Sequence, residues 1–317
     1  DLLLVAALLH DIGKGCAGDH SRTGAAMARD IALRWGFSDK DAEVVAGLVR
    51  HHLLLPHTAT RRDLEDPSTA AMVAERVRTR RFLDLLASLT EADARATGTA
   101  AWSTWRAGLV GDLVTRTRAV LDDDPVPPAV EVWPDVTVGR AWVDAEGTAD
   151  GSVLVVGAPD HLGLLAAVSA TVAVSGLHVR SARVGVAGGV GWSRWEVAEE
   201  PPDPARLRQR LLAVLDGTRP LDRLRPPPGR PAPRMAVRPD DSARATVLEV
   251  RDHDWSGLLH TVCSCLAGLG VEVRSAHVET LGPQAVDVFY VGEPGGGPLP
   301  AARAREVVEA LGVALAR

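Results

Sequence analysis

The segment "SVLVVGAPDHLGLLAAVSATVAVSGLHVRSARV" at 152–184 returns at 246–278 as "TVLEVRDHDWSGLLHTVCSCLAGLGVEVRSAHV", at a constant offset of 94. The offset aligns Asp160 with Asp254, Gly163 with Gly257, Leu164-Leu165 with Leu258-Leu259 and Gly176 with Gly270. It also aligns the Val-Arg-Ser-Ala quartets at 179–182 and 273–276. Self-similarity at a fixed period means one supersecondary unit built twice. Each copy reads as a strand (153–157; 247–251), a loop, a helix (162–175; 256–269) stopped by glycine, and a strand (177–186; 271–280). A further strand ("WSRWEVA"; "AVDVFYV") and an amphipathic helix ("PARLRQRLLAVLD"; "AARAREVVEALGVAL") follow. The order β-α-β-β-α predicts an α+β ferredoxin-like module, an antiparallel sheet with helices on one face. A closing strand for the first copy is expected in "RMAVRP", 234–239, and the proline-rich run before it reads as a stiff spacer.

Ahead of the repeat, residues 1–121 read as helical, in amphipathic stretches such as "SRTGAAMARDIALRWG" and "RFLDLLASLTEADARATG". The acidic and proline-rich segment from 122 marks a boundary, with a connector, and room for an edge strand, beyond it. The expected organisation is multi-domain. An all-α bundle, incomplete at its N-terminal end, covers 1–121, and a linker covers 122–151. A first module at 152–218, a proline-rich linker at 219–244 and a second module at 245–317 follow.

Of the 317 residues, 46% are hydrophobic and 24% charged, ordinary usage for chains that bury real cores. A formal charge of −6 argues against coating nucleic acid or an anionic membrane. Small-molecule or protein partners are expected instead. Three cysteines, Cys16, Cys263 and Cys265, are too few for a disulfide framework, and a reducing cytoplasm is expected. "DLLLVAALL" is too short to span a membrane and reads as a buried helix. Because the chain opens inside that apolar helix without a methionine, further sequence is expected ahead of it.

The helix runs into "HDIGKGCAGDHS", residues 10–21. An isolated His-Asp pair is most often incidental, but this one closes an apolar helix, where unpaired polar groups are costly. It also has company: His20, then His51 and His52 in "VRHHLL", then Asp93 in "LTEADARATG". Imidazole nitrogens and carboxylate oxygens together suit a divalent metal. His57, after Pro56, reads as a loop residue, and "RRD" at 61–63 reads equally as a phosphate contact or a solvated charged face. Trp102 and Trp105 read as packing residues.

These residues resemble the HD superfamily of metal-dependent phosphohydrolases, whose central motif is the "LLHDIGK" quoted from this chain. The resemblance implies that His10, Asp11 and Asp93 ligate metal. It makes His20 and the His51–His52 pair ligands of a second metal or of substrate phosphate, and assigns catalytic roles to Asp11 and to Lys14 facing the phosphate. It implies Mg²⁺ or Mn²⁺, with Fe or Zn²⁺ as alternatives. The histidine that the family places upstream of the HD pair has no counterpart within these residues.

In the repeat, the aspartate of "D-x-x-G-L-L" ends a strand and the Gly-Leu-Leu opens a helix, where backbone N–H groups can receive an anion. A single copy reads as an ordinary capped turn. Two copies in one frame resemble ACT domains, which implies amino-acid binding at Asp160, Gly163 and Leu164 and at Asp254, Gly257 and Leu258. The first copy has Ser193 and Arg194 where the second is expected to have Val286 and Asp287, so one site is expected to be degenerate. The order of an HD bundle and two ACT repeats is similar to the C-terminal part of the bifunctional uridylyltransferase/uridylyl-removing enzyme family of nitrogen regulation. That resemblance implies removal of UMP, or AMP, from a tyrosine of the PII signalling protein, with glutamine as effector. No transferase motif is found here, so removal and sensing are expected without attachment. Two competing readings stay open: a guanosine tetraphosphate hydrolase of the stringent-response type, and a non-catalytic amino-acid-sensing module.

Overall fold

The computed structural model describes residues 1–98, 101–102, 104–126, 140–149, 151–219, 221, 224, 226–238 and 241–316. Two compact units divide the chain, Asp1–Glu131 and Val132–Arg317.

The first unit is all helix: α1 (Leu2–Leu9), α2 (His20–Arg34), α3 (Asp39–His51), α4 (Leu54–Arg61), α5 (Pro67–Val77), α6 (Arg80–Thr97) and α7 (Thr104–Leu121). Side-chain caps start four of them by accepting otherwise unpaired N–H groups: Asp19 for α2, Ser38 for α3, Asp66 for α5 and Thr79 for α6. Leu48, Leu55, Leu83, Leu86, Leu89, Leu109 and Leu113 form the centre of the core, with Trp102 packed against it. The side chain of Trp105 lies outside the described residues.

Two expectations are corrected here. The helix α1 buries Ala6 and Leu9 but leaves Leu4 and Leu8 73% and 72% exposed, because a helix apolar all round can present only one side to one core. His57 lies on α4 rather than in a loop. Pro56 is tolerated there because it falls in the first turn, where its missing N–H would have had no partner.

The second unit holds β1 (Trp142–Thr148), β2 (Gly151–Pro159), α8 (Leu164–Val174), β3 (Val179–Ala187), β4 (Val190–Val197) and α9 (Pro204–Leu215). Its second half repeats the pattern: β5 (Arg234–Arg238), β6 (Thr246–His253), α10 (Leu258–Gly268), β7 (Glu272–Leu281), β8 (Gln284–Gly292) and α11 (Ala301–Ala316). The strands form one eight-stranded sheet in the order β1-β2-β4-β3-β7-β8-β6-β5. The order reads the same from both ends with the copies exchanged, and the antiparallel pairing of Ser181–Val184 with Ala276–Glu279 joins them.

The strand at 234–238 does not close the first copy. It pairs with β6 of its own copy, Val237 opposite Leu248. The edge of the first copy is β1, which lies within the expected linker 122–151 and pairs with β2. Each copy is therefore β-β-α-β-β-α; the connector does hold the edge strand allowed for it, but because its sequence is not repeated it was not assigned to the first copy. Residues 127–139 and 150 of the linker lie outside the described residues, as do 220, 222, 223, 225, 239 and 240 of the proline-rich linker.

Candidate functional site

His10 and His52 occupy the same structural position. Each is the C-cap of a helix, of α1 and α3 respectively. Each ring Nδ1 bonds the carbonyl three residues back, Ala7 at 2.8 Å and Val49 at 2.7 Å. A carbonyl only accepts, so Nδ1 of each ring carries a proton and Nε2 is the atom left to face the carboxylates. His10 Nε2 lies 3.1 Å from Asp11 Oδ2 and 3.3 Å from Asp93 Oδ1, and makes no hydrogen bond among the described residues. His52 Nε2 lies 3.7 Å from Asp11 Oδ1.

Lone pairs facing carboxylate oxygens repel unless a cation lies between them. Burial lowers the pKa of His52 and keeps its ring neutral, so a metal ion fits there better than a proton. Both histidines also cap helix C-termini, whose partial negative charge favours a cation. His20, the first residue of α2, completes the group: Asp11, His20 and His52 each offer a ligand atom within 4.8 Å of the others. The His10 and His20 rings stand 5.4 and 5.5 Å from the ring of His52.

Local structure explains why these residues meet. After α1 the chain turns at 10–15 and passes Gly15 and Gly18, both in the left-handed region. Gly13 lies against the first turns of α2, where a β-carbon would stand 2.1 Å from the His20 carbonyl oxygen. That contact sets His20 beside Asp11.

Lys14 Nζ is 2.5 Å from Asp11 Oδ2, which raises the lysine pKa. Partial burial pushes the Asp11 carboxyl up, but the Lys14 hydrogen bond and the His10, Lys14 and His52 charges outweigh it, so its pKa is lowered. The two residues of the His51–His52 pair part company. Neighbours on a helix diverge by about 100°, and the His51 ring packs edge-on to Phe82 at 6.4 Å, away from the cluster. In the "RRD" segment Asp63 is buried and accepts the Glu65 N–H.

In the second unit, Asp160 and Asp254 end β2 and β6 with matching contacts, their N–H groups donating to Gly189 and Pro283 carbonyls. Gly163 and Gly257 stand at φ +93° and +110°, which favours glycine. The two ends are nevertheless packed differently. Leu164 lies over Gly191, with Cδ2 2.6 Å from where a β-carbon would be. The second copy has Ala285 in that place, whose methyl denies Leu258 the same position. Beside Asp254 a cavity of about 90 Å³ opens, lined by Trp255, Leu258 and Asp287 of the second copy and His178 and Trp195 of the first.

The strand register corrects one expectation. Ser193 pairs with Val156 and Val184, and Asp287 with Val250 and Val278, so the offset of 94 continues and Ser193 is the equivalent of Asp287. Asp287, Trp195 and Trp255 were not among the expected site residues. A lone charge inside the apolar strand "AVDVFYV" was the available signal for Asp287.

The HD domain family matches residues 1–97. The bifunctional uridylyltransferase/uridylyl-removing enzyme of Streptomyces coelicolor is 43% identical over 98% of this chain and 45% of its own length. Those of Mycobacterium tuberculosis and Gluconobacter oxydans are 38% and 31% identical, over 99% and 91% of this chain and 43% and 38% of their own. The chain thus spans less than half the length of these relatives. It belongs, over nearly all of its own residues, to the family of bifunctional uridylyltransferase/uridylyl-removing enzymes, with an HD domain at residues 1–97.

Proposed function

We propose that the first unit hydrolyses the phosphodiester that joins a nucleoside monophosphate, UMP or AMP, to a tyrosine of a PII signalling protein. The two β-β-α-β-β-α copies, on this reading, are ACT domains that bind glutamine and set that activity. One observation carries the hydrolase assignment: Nε2 of His10 faces the carboxylates of Asp11 and Asp93, and Nε2 of His52 faces that of Asp11.

His10, Asp11, His20, His52 and Asp93 would hold the divalent ion, and the imidazole share of this set weighs toward Mn²⁺, Fe or Zn²⁺ over Mg²⁺. Bound there, the ion supplies positive charge to the phosphoryl oxygens and lowers the pKa of a water. The chain's own groups do the remaining work. The Nδ1–H bonds to Ala7 and Val49 fix both rings. Lys14, tethered to Asp11 yet 65% exposed, reaches outward to neutralise charge that develops on the phosphoryl group. The water oxygen bonds to phosphorus, the bond from phosphorus to the tyrosine oxygen breaks, and the phenolate takes up a proton as the nucleoside monophosphate leaves. Glutamine would occupy the loops at Asp160, Gly163 and Leu164 or at Asp254, Gly257 and Leu258, and act by preferring one state of the enzyme.

Elemental analysis and hydrolysis of nucleotidylated PII, for wild type and Asp11→Ala, test the reading. Wild type is expected to carry stoichiometric divalent metal. The variant is expected to lose it, with a rate fall of about a hundredfold or more, beyond the usual cost of losing an outer-sphere partner. An unchanged rate in the variant overturns the assignment, and guanosine tetraphosphate serves as the competing substrate.

A further inference from the structure

Asp287 is the one charged residue of β8, "QAVDVFYVG". Strand alternation turns it to the same face as Ala285 and Phe289, which pack with Leu258, Val262 and Leu266 of α10. It is 1% exposed. An ionised carboxylate in that position is unfavourable, because it gives up its hydration with no cation to pair with. The carboxyl accepts the Glu279 backbone N–H, but Oδ1 makes no hydrogen bond among the described residues. Two more buried polar atoms without a partner, Nε1 of Trp195 and Nε1 of Trp255, belong to residues that line the same cavity. Each such atom forgoes the hydrogen bonds it would make to water. Asp287, Trp195 and Trp255 thus all line this one cavity, and a polar ligand in it lies next to three side chains that each hold a polar atom without a partner. Since one water needs roughly 10–15 Å³ of such volume, the cavity has room for several heavy atoms.

We propose that Asp287 is the specificity-determining residue of this cavity, where it takes the carboxamide end of a small ligand and turns away the carboxylate analogue. The inference rests on the glutamine-sensing reading and names what that site reads.

The charged and titratable groups around Asp287 explain its form. Asp252 and Asp254 come from the end of β6 and its loop, Cys263 and His260 from α10, and His178 from the start of β3. Asp252 is paired with Arg230. Burial, then the charge of Asp254, push the Asp287 pKa up to about 8. At neutral pH it is therefore a carboxylic acid with one donor and a free acceptor. Its O–H donates to the amide carbonyl of the ligand, and the amide N–H donates back to its carbonyl oxygen. An indole N–H, which can only donate, supplies a second bond to that amide carbonyl. A carboxylate ligand has no hydrogen to return and brings negative charge beside Asp254. The first copy has Ser193 in this position and offers no such pair.

The test is calorimetric titration of the full chain with glutamine and with glutamate, between about pH 6 and pH 9, in wild type, Asp287→Asn and Asp287→Ser. Wild type is expected to prefer glutamine by more than tenfold, since a carboxylate ligand leaves the Asp287 carbonyl oxygen without a donor and sets its charge beside Asp254. As pH rises through about 8 the acid ionises, and glutamine affinity should fall by roughly tenfold at about pH 9. The ligand's own ammonium titrates in the same range, so the Asn variant, which has no proton to lose there, supplies the reference slope. That variant should bind glutamine with a flatter profile and discriminate less against glutamate, and the Ser variant should lose the preference. Equal discrimination and equal pH profiles in wild type and both variants overturn the assignment of Asp287 alone. Absence of glutamine binding by wild type overturns the sensing reading and this inference with it.

Discussion

Gly13 shows how much of the metal cluster depends on a missing side chain. A β-carbon there would meet the His20 carbonyl at 2.1 Å and the Gly24 nitrogen at 2.7 Å, both backbone atoms that cannot swing aside. Gly13→Ala is therefore expected to lower stability by about 1–3 kcal/mol, the range for overpacking, and to weaken metal binding by displacing His20 from Asp11. Thermal unfolding and a metal titration check both effects. Gly15→Ala is the control, since nothing lies within 4 Å of it and only its left-handed φ is strained. The candidate ligands were legible because each lies in a short motif, but helix phase decided which of His51 and His52 turns toward the cluster. Asp287 was visible only as an oddity, because its meaning depends on which face of β8 it takes and on what α8 and α10 leave open above it.

The helices of the first unit present ligands from their ends, so end structure controls the site. Asp19 caps α2 by accepting the Ser21 and Arg22 N–H groups at 2.8 and 3.1 Å. His20 follows it directly. Asp19→Ala is expected to fray the first turn of α2 and weaken metal binding by roughly tenfold, the low end for losing a group that orients a ligand. Metal-dependent thermal shift checks it, and an unchanged metal affinity would show that Gly13 alone places His20. The caps and glycine stops that bound these helices are local and were readable. The partner of the strand at 234–238 was not, since pairing is decided by which edge is free, and β1 had already taken the free edge of the first copy.

At the scale of the molecule, the two copies share one sheet through the β3–β7 pairing. A chain ending after α9 would leave β3 an open edge, an invitation to pair with another chain. Such a truncation is expected to self-associate through β3 in sedimentation analysis, whereas the full chain is not expected to associate by that route; a monomeric truncation would count against this role for the junction. Among the described residues no helix is long and apolar enough to cross a membrane. Local and periodic properties were determined by the sequence itself: the helical first unit, the doubled module with its offset of 94, the glycines at positive φ, and the residue types offered at the candidate metal site. Each follows from interactions between residues a few positions apart or from direct repetition. Only the tertiary structure decided which histidine of a pair turns inward, which copy owns each edge strand, and that three side chains with an unpartnered polar atom line the space beside Asp254. Those outcomes depend on side chains distant in sequence competing for the same volume, and no local pattern records the result.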